Sequence, residues 1–233
     1  MSATWYCSST ATGPWGNCRS AFCRCRWRIF ISRIDHGPCP PFTLQLREGT
    51  RRSHHQLDSH PALSGLLKAD SLGHYADCLQ TFAQAWLPFE TTAESIQASE
   101  PKLGPFFLRR SSALQHDLAQ LGRTALTSPA LACEPPGGWP GRLAWFYVLN
   151  GAQLGAAMLE RQILARIPEA PVRFFAARQS HPDSNWHAFC RFLDDQPLTQ
   201  TDLDAAVAEA NRAFSNLLER LPAPSDCRQP ITG

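Results

Sequence analysis

A chain of 233 residues, 43% of them apolar and 18% charged, is long enough for one packed domain and a tail, and neither collagen-like nor wholly disordered. Its formal net charge of +2 lies too near neutrality to imply a nucleic-acid partner. No run approaches the ~20 uninterrupted apolar residues of a membrane span, so a cytoplasmic protein is expected.

The first forty residues stand apart. Residues 1–34 hold no Asp or Glu but carry Arg19, Arg24, Arg26, Arg28 and Arg33, and no helical or strand period is sustained. Such Arg-rich, acid-poor composition is that of a transit peptide, or of translation from a start codon placed too far upstream; the second reading is preferred, and residues 1–40 are expected to be disordered or non-native. Five of the nine cysteines crowd this stretch. An odd total without even spacing argues against a disulfide framework. Cys18, Cys23 and Cys25 lack the paired second half of a structural zinc site.

After Pro40 the texture becomes helical. Residues 43–58 place Leu46, Thr50, Ser53 and Leu57 on one stripe. Ser71 is the expected cap of a helix carrying Tyr75, Leu79, Phe82 and Trp86, with Pro88 near its end. Leu114, Leu118 and Leu121 mark residues 112–121, closed by Gly122. Residues 143–166 are long, apolar and rich in small side chains. A last helix, with Thr201 as its expected cap, runs through Leu203, Val207, Ala210, Phe214, Leu217 and Leu221. Ser128–Gly141 and Ser180–Asn185 read as loops, and no alternating β-branched run appears. The prediction is an all-α single domain of about seven helices over residues 41–222, with a tail at 223–233.

Two segments carry chemistry. In Leu46-Arg47-Glu48-Gly49-Thr50-Arg51-Arg52-Ser53-His54-His55-Gln56-Leu57-Asp58, helical spacing turns His54 toward the core and His55 toward solvent. An inward histidine is a candidate ligand for a metal or an iron porphyrin; periodicity alone favours an ordinary, satisfied core histidine. In Tyr147-Val148-Leu149-Asn150-Gly151-Ala152-Gln153-Leu154-Gly155-Ala156, two glycines four apart each cost about 1 kcal/mol relative to alanine in a helix. A face without side chains admits either another helix or a planar ligand, and from this segment alone helix packing is the better reading.

Taken together, L-R-E-x-T-x-x-x-H-x-x-L-D and, about 95 residues later, Y-V-x-x-G-x-x-L-G-A resemble the biliverdin-producing heme oxygenases, most of all the bacterial forms that supply bacteriophytochromes. The resemblance runs from about residue 43 to 221. It implies a multi-helix fold with heme held between a proximal and a distal helix. By the same resemblance heme is cofactor and substrate, opened with O2 to biliverdin, CO and ferrous iron. Electrons are expected from a ferredoxin or an NADPH-dependent reductase, and a biliverdin-binding phytochrome is a candidate recipient of the product. His54 matches the proximal ligand of the heme iron. Asp58 stands where relatives carry Glu. Arg47 and Tyr147 match propionate partners, Gly151 and Gly155 the two catalytic glycines of the distal helix, and Phe214 a phenylalanine closing the pocket. Ala152 and Ala156 fall among the heme-facing positions. Trp186, Phe189 and Leu193 resemble a pattern of the penultimate helix, and Arg173, Arg178 and Arg191 are candidates for the second propionate.

Three positions depart from the family pattern. Asn150 replaces an acidic residue, Ala156 a third glycine, and Ala152 a serine or aspartate that helps hold distal water. The last bears on proton delivery more than on heme binding, and favours the alternative of a non-catalytic heme carrier or sensor with the same fold. A relative of unrelated chemistry, such as a thiamin-degrading enzyme, would need a cysteine nucleophile; Cys78 and Cys190 stand in ordinary helical stripes.

Overall fold

The structure, a computed structural model, describes residues 41–124, 133–177 and 186–222. The chain divides between Cys39 and Pro40, and the described residues belong to the second unit. All regular structure among them is helical: α1 Pro41–Ser59, α2 Pro61–Lys68, α3 Leu72–Ser99, a 3₁₀ turn Pro101–Phe106, α4 Ser111–Gln120, α5 Gly138–Arg166, α6 Arg173–Ala176, α7 Trp186–Asp194 and α8 Gln200–Glu219. The expected all-α architecture is what is found. No helix among the described residues is long and apolar enough to cross a membrane. The readings made for residues 1–40, Arg178, Ser180–Asn185 and 223–233 lie outside them.

Local chemistry sets several boundaries. Ser71 caps α3 by accepting the His74 amide. At the end of α4, Gly122 takes φ of 66°; its amide donates to the Ala119 carbonyl and that of Arg123 to Leu118, the paired bonds of a Schellman stop. His60 accepts the Ala62 amide at 3.2 Å, separating α2 from α1.

Three boundaries differ from expectation. Pro88 does not end α3, which continues to Ser99 with Pro88 in its interior and buried. A proline removes one backbone donor and crowds the turn before it. The helix is carried across by burial: Trp86, Leu87, Phe89, Ala93 and Ile96 are in the core, and the Thr92 hydroxyl lies within bonding distance of both the Pro88 and Cys133 carbonyls. Second, α5 begins at Gly138 rather than 143. Pro140 falls in its first turn, where the missing N–H has no helical partner to lose, and the expected loop to Gly141 is correspondingly shorter. Third, α8 is capped by Thr199, not Thr201. The Asp202 amide donates to Thr199 Oγ1 at 3.2 Å and the Thr199 amide to Asp202 at 2.9 Å, a reciprocal capping box.

The core is aromatic. Phe89 stacks on Trp145 at 4.8 Å between centroids, and Trp86 and Phe174 meet edge to face at 5.4 Å. The arrangement that positions the site is simpler: α1 and α5 both pack extensively on α8. They make little contact with each other. Two walls thus share one base.

Candidate functional site

His54 sits on α1, on the side that meets α8. Its side chain is 36% exposed, so it stands on the edge of the core rather than inside it as periodicity suggested. Its Nδ1 lies 2.8 Å from Asp58 Oδ2, one turn on. An Nδ1–H given to a carboxylate leaves the lone pair of the neutral imidazole on Nε2, the arrangement that metal-binding histidines use. On its other side the ring meets Phe214 of α8 edge to face, centroids 5.8 Å apart. Phe214 is buried. His55 is exposed, as its spacing requires.

Thr50, the motif threonine one turn earlier, is buried and donates its hydroxyl to the Leu46 carbonyl at 2.7 Å. It satisfies α1 internally. Arg47 is half-buried on the same helix.

On α5, Gly151 and Gly155 are half-buried. Among the described residues, a Cβ built on Gly151 would meet nothing within 4 Å. Helix packing, the better reading from the segment alone, therefore does not account for this glycine among the described residues. The contrast with Gly49 of α1 is direct: a Cβ there would run into Val207 Cγ1, a position where a close helix crossing demands glycine. Ala152 is exposed and Ala156 is in the core. Asn150 is buried, and its amide donates to the Phe146 carbonyl at 2.9 Å. Tyr147, one turn before Gly151, is half-buried with its ring 5.6 Å from that of Trp186. Arg173 and Arg191 are exposed; Phe189 and Leu193 are core residues. Cys78 and Cys190 are half-buried on α3 and α7.

The structure thus brings His54, Asp58 and Phe214 into contact across α1 and α8, and sets Tyr147, Gly151 and Gly155 in register along α5. Sequence reasoning gave Asp58 no defined partner; its i,i+4 spacing from His54 was the available signal. It passed over Asn211, which ties α8 to α1 beside His54.

A second polar group lies apart from this seam. Glu90 of α3 accepts the backbone amides of Arg110 (2.8 Å) and Ser111 (2.6 Å), and the Trp86 indole at 3.2 Å. The Arg110 guanidinium is wholly buried over the rings of Trp86 and Phe174, at 4.3 and 4.5 Å. Burial pulls it down to about 10, against the pull of Glu90. Asp117 of α4 accepts the Phe174 amide at 2.9 Å, and burial raises its carboxyl above the usual range. With every member inside the core, this group is architectural.

Comparison with known proteins points the same way. The heme oxygenase family model matches residues 139–220, that is, α5 through α8. Solved structures similar to the chain include the heme oxygenase of Neisseria meningitidis in its NO- and CO-bound forms, at 20% identity over 82% of this chain and 94% of that one, TM-score 0.59. The heme oxygenase of Leptospira interrogans is 20% identical over 77% and 98% of the two chains, TM-score 0.57. Heme oxygenase-1 of the cyanobacterium Synechocystis, in complex with heme, is 17% identical over 77% and 90%, TM-score 0.55. No curated protein matches in sequence. The chain has the heme oxygenase fold, and its resemblance to that family holds in the sequence of its C-terminal helices as well as in its architecture.

Proposed function

We propose that the chain binds heme between α1 and α5 and cleaves it oxidatively to biliverdin, CO and ferrous iron. Two observations support this reading: on α1, His54 is oriented by Asp58 and meets Phe214 of α8, and on α5, which packs on the same α8, a Cβ at Gly151 would have open space among the described residues. The residues fit the group. A neutral imidazole with its lone pair on Nε2 would be a suitable ligand for the iron, and a glycine position would let a planar macrocycle lie close to backbone.

Bound heme supplies the oxidative chemistry, with O2 and electrons from a ferredoxin or an NADPH-dependent reductase; the protein supplies position and environment. Asp58 holds the His54 ring in one orientation and keeps its proton on Nδ1. Phe214 walls the ring on the α8 side. Arg47, a planar fork of donors, and the Tyr147 hydroxyl are suited to the propionate carboxylates. Gly151 and Gly155 leave room on the distal side, where a larger side chain would exclude O2 and water. Ala152 offers no hydroxyl to hold that water, which leaves either backbone carbonyls of α5 to hold it or a slow turnover.

That last feature favours a second reading, a heme carrier or sensor of the same fold. An absorption titration of the full chain with hemin, followed by ascorbate or a ferredoxin system in air, separates the two. A one-to-one Soret complex that decays into a broad red biliverdin band supports the enzyme, and loss of axial ligation in His54→Ala supports the role of His54. Heme that binds and survives reductant makes the chain a carrier. Absence of specific binding rejects both.

A further inference from the structure

The heme-facing reading explains His54, Asp58 and Phe214 but leaves the join between α1 and α8 unexplained. That join is asymmetric. At Gly49 the two helices touch so closely that a Cβ would strike Val207. One turn along, the Ser53 hydroxyl donates to Asn211 Oδ1 at 2.6 Å, while Asn211 Nδ2 donates to the Gly49 carbonyl at 3.1 Å and to the Val207 carbonyl of its own helix at 2.9 Å. A further turn along α8, Phe214 meets the ring of His54. Val207, Asn211 and Phe214 therefore climb α8 beside Gly49, Ser53 and His54 of α1.

Val207 and Phe214 make apolar contacts, which tolerate sliding because they have no fixed direction. The Asn211 amide is different. It uses its oxygen and both of its hydrogens, and two of its three bonds cross to successive turns of α1. Directional bonds at about 3 Å fix both the height and the rotation of one helix on the other. Ser53 is the residue immediately before His54, so any slip of this clamp is passed to the imidazole within one residue.

We propose that Asn211 is a positioning residue: clamping Ser53 and Gly49, it sets where on α8 the α1 helix sits, and so where His54 presents Nε2 to heme iron. The inference rests on the proposed axial role of His54. It assigns Asn211 no contact with heme.

The test uses the full chain with hemin bound and compares Asn211→Leu and Ser53→Ala with the unaltered protein. Two quantities are read: the iron–histidine stretching band of the ferrous complex by resonance Raman, and the rate of hemin release to a scavenging apoprotein. Both variants are expected to shift or broaden the band and to speed hemin release, by roughly tenfold for one directional bond lost. Ser53→Ala, which removes one bond and leaves Asn211 in place, keeps the test alive should Asn211→Leu fail to fold. If band and release rate are unchanged in Ser53→Ala and in every Asn211 variant that folds, while only the melting temperature of the apoprotein falls, the clamp is merely structural and the proposal is wrong. His54→Ala is the control. A stretching band that survives it shows that the axial reading itself has failed, taking the inference with it.

Discussion

Two polar regions of this molecule make opposite uses of charge. Around Glu90, Arg110 and Asp117, ionisable groups are sealed between α3, α4 and α6, where one carboxylate collects three donors and a guanidinium lies on aromatic faces. Along α1, α8 and α5, His54 and Asp58 are partly exposed, and a Cβ at Gly151 would meet nothing within 4 Å among the described residues. The sealed group holds a fold together and has no access to a ligand. The second region packs firmly on α8 yet leaves the His54 side chain 36% exposed, and so has surface to offer. Burial thus separates scaffold from site.

The contrast breaks first at Glu90. Glu90→Ala strips three donors of their acceptor and leaves the Arg110 charge uncompensated in the core, and is expected to cost about 3–5 kcal/mol in urea unfolding. A cost under about 1 kcal/mol would mean that water reaches this region. Gly151→Ala is the opposite experiment. Its Cβ has open space, so the apoprotein should gain about 1 kcal/mol from helix propensity alone, while hemin affinity or turnover falls. Lost stability would show that Gly151 is packed after all. The smallest expected effect is a change of slope. Burial raises the Asp117 carboxyl, with the amides of Phe174 and Arg173 opposing the rise. A raised acid favours the folded state while protonated; that contribution is complete below the ordinary carboxylate range and is lost as pH climbs through the folded-state value. Asp117→Asn should therefore improve relative to the unaltered chain between about pH 4 and pH 7, read from urea midpoints at the two values. A difference that does not vary with pH would mean that Asp117 titrates normally.

How far the sequence could take this depends on the kind of information each feature carries. The stripe of α8 and the His54 motif are periodic signals, and helical period survives folding almost unchanged. The cap at Thr199 was legible as Thr-x-x-Asp, yet Thr201 competes for the same role, and only the reciprocal bonds decide between them. Pro88 misleads because a local rule is outvoted by burial on both sides of it. Arg109 and Arg110 show the limit most plainly: neighbours of one type, the first exposed and bonded to Glu94, the second buried on Trp86. Nothing local tells them apart. Asn211 was invisible for a related reason, since its partners on α1 lie 158 and 162 residues away.

The shared base beneath the two walls carries an evolutionary consequence. Ala206, Ala210 and Ala213 of α8 are fully buried, and side chains this small let neighbouring helices approach closely. Exchanging any of them for a bulkier residue would press on the helices packed against α8, among which α1 and α5 make the most extensive contacts, without altering a residue on either wall. Were heme held between α1 and α5 as proposed, the spacing of those helices could therefore drift by substitutions remote from the ligand, so that a lineage could explore macrocycles with different substituents while His54 and Asp58 stay unchanged.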